Sequence, residues 1–288
     1  MIAAALAAVL VALVPPSPAD RAAAGRGGDW IAARTPAGAG GVEADAVVAL
    51  AALGRPGGER LRALVRLAPA YTQAPGPAAK TVLAAVAVGR NPRCFAGVDL
   101  VSRIRAGYAD GVFGASIWDQ SLSLAALHAA AEPVPPAALK RLRSLRRDGG
   151  WGFSVVREDS DDVDSTAIAL MALRAAGAPA SDPAVRAGVA WLLRERLPSG
   201  GWRGAAGAGA NANSTGLAIR ALVASDRPAP AAAVRILRGL QQPDGSFALA
   251  AALSGSADLA TSESVPALVQ RPWPIGGRGS PGRPCGAR

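Results

Sequence analysis

Segments that are apolar nearly all round alternate along the chain with segments that carry one apolar stripe and one arginine-bearing face. Residues 59–67 show the second kind, and residues 78–88, ending at Gly89, show the first. A helix with a polar face lies at a surface, and a helix without one lies inside. The alternation therefore predicts an outer and an inner ring. Inner segments are predicted at 43–53, 78–88, 117–131 and 164–176, with two more starting near Asn211 and Thr261. Outer segments are predicted at 59–67, 98–105, 136–147, 182–196 and 229–242, preceded by a first helix near Trp30.

The turn that joins an outer to an inner segment recurs. It reads Asp148-Gly149-Gly150-Trp151-Gly152-Phe153, Ser199-Gly200-Gly201-Trp202 and Pro243-Asp244-Gly245-Ser246-Phe247, with a looser copy from Gly107 through Phe113 to Gly114. Each is followed by a short polar cluster: Trp118-Asp119-Gln120-Ser121, Asp162-Val163-Asp164-Ser165-Thr166, Asn211-Ala212-Asn213-Ser214-Thr215 and Thr261-Ser262-Glu263-Ser264. Asp, Asn, Ser and Thr at a helix start satisfy its free amide groups. Placing Asp45, Lys80, Gln120, Ser165, Ser214 and Ser262 in register gives six helix-turn-helix repeats, and six such pairs can close into an all-α, α6/α6 toroid. Loops such as 204–210 are inserted on the rim where inner helices begin, which marks that rim as the functional face.

Composition adds limits. With 288 residues, half of them apolar, the chain has material for one large domain. Alanine inflates the apolar count while aromatics are 4%, so close helix packing is expected in place of a broad aromatic pocket. The net charge is +10, yet the cluster Arg141, Arg143, Arg146 and Arg147 has no interleaved aromatics and argues against nucleic acid. Peripheral contact with anionic envelope polymers or lipid headgroups remains a consequence of that charge.

Residues 2–14 are apolar and lead into Pro15-Pro16-Ser17-Pro18-Ala19, which reads as a secretory signal peptide cleaved after Ala19, or else as a buried first helix. The expected division is signal peptide 1–19, polar linker 20–28, toroid 29–270 and a disordered Pro/Gly/Arg-rich tail 271–288. Cys94 and Cys285 can pair if the chain is exported, and with no Cys-x-x-Cys a structural zinc site is not expected.

The turns carry a resemblance. Gln241-Gln242-Pro243-Asp244-Gly245-Ser246-Phe247, the stretch from Trp191 to Trp202 and the stretch from Leu145 to Trp151 resemble the QW motif. That motif marks the α/α-toroids of triterpene cyclases and protein prenyltransferase β subunits. Asp162-Val163-Asp164-Ser165-Thr166-Ala167 is similar to the Asp-x-Asp-Asp-Thr-Ala motif of squalene-hopene cyclases, whose middle Asp protonates an alkene. The resemblance places Asp164 on that middle position, with Ser165 where the family has a further Asp.

Triterpene cyclases resemble two joined barrels, whereas this chain has material for one, and the aromatics left for a cation-stabilising cavity are Trp118, Phe153 and Tyr108. A prenyltransferase zinc site of Asp, Cys and His is not expected, because His128 lies in an apolar helical run and reads as a packing residue. The same toroid resembles secreted cobalamin carriers, which bind corrinoid between the barrel and a β domain. Here that β domain would have to come from another chain.

Three functions follow. The first is an exported, non-catalytic module, without a resident cofactor, that binds a small corrinoid or isoprenoid ligand at the rim. Its contacts would be Trp118, Asp119, Gln120, Ser165, Asn211, Asn213, Ser214 and Thr215, with Asp162 and Asp164 beside them. The second is a terpene-cyclase-like enzyme with Asp164 as general acid. The third is a basic envelope-interaction protein.

Overall fold

In the computed structural model, which describes residues 14–155, 160–204, 209–250 and 256–276, the two kinds of segment form two concentric rings. The inner ring is α2 (Gly40–Ala52), α4 (Pro75–Ala87), α6 (Ile117–Ala129), α8 (Val163–Ala175), α10 (Ala212–Ala224) and α12 (Ala257–Leu268). Each inner helix packs on the next, and α12 packs back on α2, so the ring closes. The outer ring is α1 (Pro18–Ala33), α3 (Gly58–Tyr71), α5 (Leu100–Ala106), α7 (Pro136–Ser144), α9 (Pro183–Arg194) and α11 (Ala231–Gly239). Alanine explains the close fit of the inner helices. Ala44, Ala79, Ala84, Ala125, Ala126, Ala167, Ala169, Ala218 and Ala221 are wholly buried, and a one-carbon side chain lets neighbouring backbones approach.

One joint repeats at the rim where outer helices end. Trp151, Trp202, Phe113 and Phe247 are each fully buried between the rings. Their backbone N–H groups donate to side chains of the following inner helix: Trp151 to Thr166 at 2.9 Å, Trp202 to Thr215 at 3.1 Å, Phe247 to Thr261 at 2.9 Å and Phe113 to Gln120 at 2.7 Å. The two indoles also donate to carbonyls of the preceding outer helix, Trp151 to Leu142 and Trp202 to Leu192. A buried N–H must find an acceptor, so each joint fixes how far its inner helix is rotated. The turn glycines serve the same geometry. Gly149 adopts φ +108°, and a Cβ on Gly150 would lie 2.9 Å from Thr166 Oγ1 and from the Trp191 ring.

This corrects the register read from sequence. The equivalent residues are Gln120, Thr166, Thr215 and Thr261, one position beyond Ser165 and Ser214 and one before Ser262, while Asp45 and Lys80 lie about half a turn deeper in their helices.

Two boundaries also change. Residues 20–28, expected as a polar linker, are helical within α1. Ser17 caps that helix with Asp20 in a capping box, and Ala23, Ala24, Gly27 and Gly28 are buried. Glycine there gives up helix propensity for close packing of α1 on α12. The expected signal peptide falls mostly on residues 1–13, outside the described residues, and a cut after Ala19 would remove the Ser17 cap. At the other end, residues 271–276, expected as part of a disordered tail, run under the toroid with Trp273 and Ile275 buried. Cys94 is not a free thiol, and Cys285 lies outside the described residues. Among the described residues no helix is long and apolar enough to cross a membrane.

A buried network closes the seam between the first and last repeats. Arg60 of α3, 1% exposed, donates to Glu43 of α2 at 3.1 Å, to Asp258 of α12 at 2.9 Å and to the Ile31 carbonyl at 3.2 Å.

Replacing Thr166 by Val keeps the side-chain shape but leaves the Trp151 N–H without an acceptor. Urea unfolding of Thr166→Val is expected to show a loss of about 1–3 kcal/mol. An unchanged midpoint would mean the joint does not hold the repeat together.

Candidate functional site

The rim is built by helix caps. Ser116, Asp162 and Asn211 cap α6, α8 and α10, accepting from the N–H groups of Asp119, Ser165 and Ser214 at 3.0, 2.8 and 2.9 Å. A side chain at the cap is turned back onto the backbone, and the residue two places later takes no part in the cap. Those residues are Trp118, Asp164 and Asn213, on three successive inner helices, and all three are half-buried.

The remaining residues expected at the site belong to the scaffold. Asp119 completes a capping box with Ser116, 2.8 Å from its hydroxyl. Gln120 is fully buried, accepting from Phe113 and donating to the carbonyls of Gly111 and Ala138 at 3.1 and 2.9 Å. Thr215 is committed to Trp202, Asn211 and Asp162 to their caps, and Ser165 is buried. Ser214 is buried too, with its hydroxyl near enough to the Asp164 carboxylate to lower its pKa.

Asp164 is electrostatically distinct from its neighbours. Burial raises its pKa to about 6, the Ser214 hydrogen bond pulls it down, and the nearby charge of Asp162 pushes it up again. Its Oδ1 is buried and has no hydrogen-bond partner, and Asn213 Oδ1 and Ser165 Oγ share that condition. Phe153 lies on the same rim with its carbonyl accepting from Ile117 at 2.8 Å, and it is 59% exposed. The acidic loop considered as a cation site lies partly outside the described residues. Its Asp161 accepts from the Gly150 N–H at 3.1 Å.

The inner wall holds four charges that the sequence did not mark as a group. Lys80 of α4 pairs with Asp45 of α2 at 2.7 Å, and Arg220 of α10 pairs with Glu263 of α12 at 2.8 Å. Burial is the largest influence on Lys80 and lowers its pKa, but the Asp45 carboxylate more than reverses this. Lys80 nevertheless keeps 22% of its side chain accessible. Burial raises Glu263 beyond what Arg220 restores, and Asp45 adds to the rise.

These four residues occupy adjacent inner helices, since α4, α2, α12 and α10 are consecutive in the ring. Charged residues inside otherwise apolar segments were the available signal. His128 is half-buried beside Arg174 and Trp273 at the opposite end of the inner helices, on a recess of about 440 Å³. Among the described residues no group of three or more His, Cys, Asp or Glu side chains could hold a metal.

The arginines that suggested a basic face are partly engaged: Arg143 pairs with Asp182 at 2.9 Å and Arg141 donates to the Val155 carbonyl.

The backbone as a whole has close counterparts among solved structures. The type II terpene cyclase MstE from Scytonema superposes with a TM-score of 0.67 at 16% identity, covering 88% of this chain and 98% of that one. The fold is a terpene-cyclase-like α/α toroid. An ent-copalyl diphosphate synthase from Streptomyces platensis matches with a TM-score of 0.54 at 19% identity, over 80% of this chain and 50% of that one. Haptocorrin in complex with Cbi matches with a TM-score of 0.61 at 15% identity, over 91% and 69%. No family model matches the sequence, and comparison with curated proteins finds no match. The 98% coverage means that one barrel of this kind spans nearly the whole matched chain of that type II terpene cyclase.

The raised pKa of Asp164 has a stability consequence. Between the ordinary value of 3.8 and about 6 the folded state binds a proton that the unfolded state has released, so stability falls as pH rises through that window. Asp164→Asn removes the buried charge. Urea unfolding at pH 8 is expected to show the variant more stable than wild type by on the order of 2 kcal/mol, with the two converging near pH 4. A variant less stable at pH 8 would show that Asp164 serves as a structural cap.

Proposed function

We propose that this toroid is a type II terpene-cyclase-like enzyme in which Asp164 protonates an alkene of an isoprenoid substrate. One observation carries the reading. Capping falls to Asp162, which leaves Asp164 outside the cap with burial holding its pKa near 6 and one oxygen unpartnered.

A neutral carboxyl with a free oxygen can deliver its proton to a carbon. The O–H bond breaks, a C–H bond forms at the less substituted alkene carbon, and the positive charge develops at the more substituted one. Asp164 becomes a carboxylate, and loss of a proton from the resulting carbocation to a base restores the balance. Trp118, on the neighbouring helix at the same level, offers a π face to the developing cation. Substitution of Ser165 for the further Asp of the cyclase motif removes one acidic neighbour. Asp162 remains to raise Asp164 electrostatically.

A general acid must be protonated to act, so kcat/KM is expected to fall as pH rises through about 6. Incubation with geranylgeranyl and farnesyl compounds, followed by gas chromatography and mass spectrometry, is expected to give cyclised products. Asp164→Asn is expected to lower their formation by a thousandfold or more, on the order of what a single proton donor contributes, with the fold checked by circular dichroism. Products that persist in Asp164→Asn would exclude it as the acid.

A second reading, the non-catalytic binding module, draws on the charged inner wall of Lys80, Asp45, Arg220 and Glu263. Such groups suit a polar ligand better than a hydrocarbon. Retention of an unreacted small molecule by the native protein, unaffected by Asp164→Asn, is the outcome that would favour it. Export by the N-terminal segment is part of either proposal, and N-terminal sequencing of protein from the producer's medium tests it.

A further inference from the structure

We infer that Cys94 and Cys285 form a disulfide that latches the C-terminal segment across the mouth of the toroid where the inner helices end, with Trp273 as the plug. The inference is independent of the isoprenoid reading.

The chain has two cysteines, and Cys94 is disulfide-bonded, which leaves Cys285 as its partner. Chain length agrees with the pairing. Cys94 closes the 3-10 turn Pro92–Cys94, which packs on α4. Gly276 lies against the end of that same helix: a Cβ on it would be 3.4 Å from the Val86 carbonyl oxygen and 3.6 Å from Ala87 Cα. An extended chain advances at most about 3.6 Å per residue. Seven residues from Ala87 to Cys94 therefore span no more than about 25 Å, while nine residues from Gly276 to Cys285 reach about 30 Å.

Between α12 and α4 the segment crosses the ring. The Arg271 N–H donates to the Pro266 carbonyl at 2.8 Å, at the end of α12. Trp273, 7% exposed, then lies against the Arg220 guanidinium of α10 with its ring centroid 5.1 Å away. Pro272, Trp273 and Pro274 border the recess of about 440 Å³ together with His128 of α6, Arg174 and Ala175 of α8 and Ala224 of α10. Ile275 is buried, and Gly276 arrives at α4. His128, Ala175, Ala224 and Ala87 all stand at the C-terminal ends of their helices, opposite the end that carries Asp164.

The crossing segment has no helical or strand structure of its own. Such a segment detaches readily unless both of its ends are tied. One end is tied by α12, and the disulfide ties the other by removing conformational freedom from the detached state. To form it, the two thiols give two protons and two electrons to a disulfide oxidant, which leaves as a dithiol. A dithiol reductant reverses the exchange. The plug is thus fixed in oxidising surroundings and releasable in reducing ones, where its departure uncovers Arg220 and the recess beside His128.

The first test is mass spectrometry of the oxidised full chain digested without reductant. A cross-linked pair of peptides joining Cys94 to Cys285 is expected, from protein that runs as a monomer on a non-reducing gel. Free thiols at both positions, or a bond between two chains, overturn the inference.

The second test reads the plug by acrylamide quenching of Trp273, isolated in each redox state by difference from Trp273→Phe. Reduction of the folded protein with dithiothreitol, followed by alkylation, is expected to raise the Trp273 quenching constant about threefold or more as the indole is released. Cys285→Ser is expected to show the raised value without reductant and no further rise with it. Reduced wild type serves alone if that variant does not fold. Helical circular dichroism is expected to persist, since the release is local. Unchanged quenching in the reduced protein overturns the latch, because the plug would then hold without it.

Discussion

Everything at the rim depends on one hydrogen bond, repeated four times. The N–H of a buried turn aromatic is accepted by a hydroxyl or amide one turn into the next inner helix. The aromatic fills the space between the rings, and the acceptor sets the rotation of the inner helix about its own axis. With rotation fixed and the start pinned by a side-chain cap, the residue two beyond the cap is left outside both cap and joint. Asp164 therefore owes its position to Trp151, Thr166 and Asp162, of which only Asp162 also enters the proposed chemistry, by raising the Asp164 pKa.

The same constraint separates scaffold from site within each polar cluster. In the stretch from Asp162 to Thr166, the first residue caps, the third is half-buried with one carboxylate oxygen unpartnered, the fourth is buried and the fifth holds the joint. The stretch from Asn211 to Thr215 divides in the same way, with Asn213 in the third place. Burial then distinguishes the two third-place polar side chains: an amide tolerates it, while a carboxyl responds by holding its proton longer. The proposed acid thus arises where the repeat happens to place Asp at the third position.

The repeat, the two rings and the caps were legible because helical periodicity, Gly-aromatic turns and Asp/Asn/Ser clusters are local signals. The register was off because Ser165 and Thr166 are both plausible acceptors in sequence, and only the buried N–H of Trp151 chooses between them. Residues 20–28 looked like a linker because three glycines lower helix propensity, yet packing against α12 outweighs that cost. Trp273 and Ile275 were hidden by the surrounding Pro and Gly. The Lys80, Asp45, Glu263 and Arg220 group was not legible, since residues far apart in sequence meet only when α12 closes on α2.

In the proposed reaction the decisive event is transfer of the Asp164 proton to carbon, and isotopic labelling observes it without requiring that cyclisation run to completion. The measurement is incubation of the native chain with an unlabelled geranylgeranyl substrate in deuterium oxide near pD 6, followed by mass spectrometry of all recovered isoprenoids. The account predicts one carbon-bound deuterium per product molecule in wild type and none in Asp164→Asn. Deuterium-free isoprenoid from a wild-type protein that demonstrably binds the substrate would contradict it and leave the toroid a binding module.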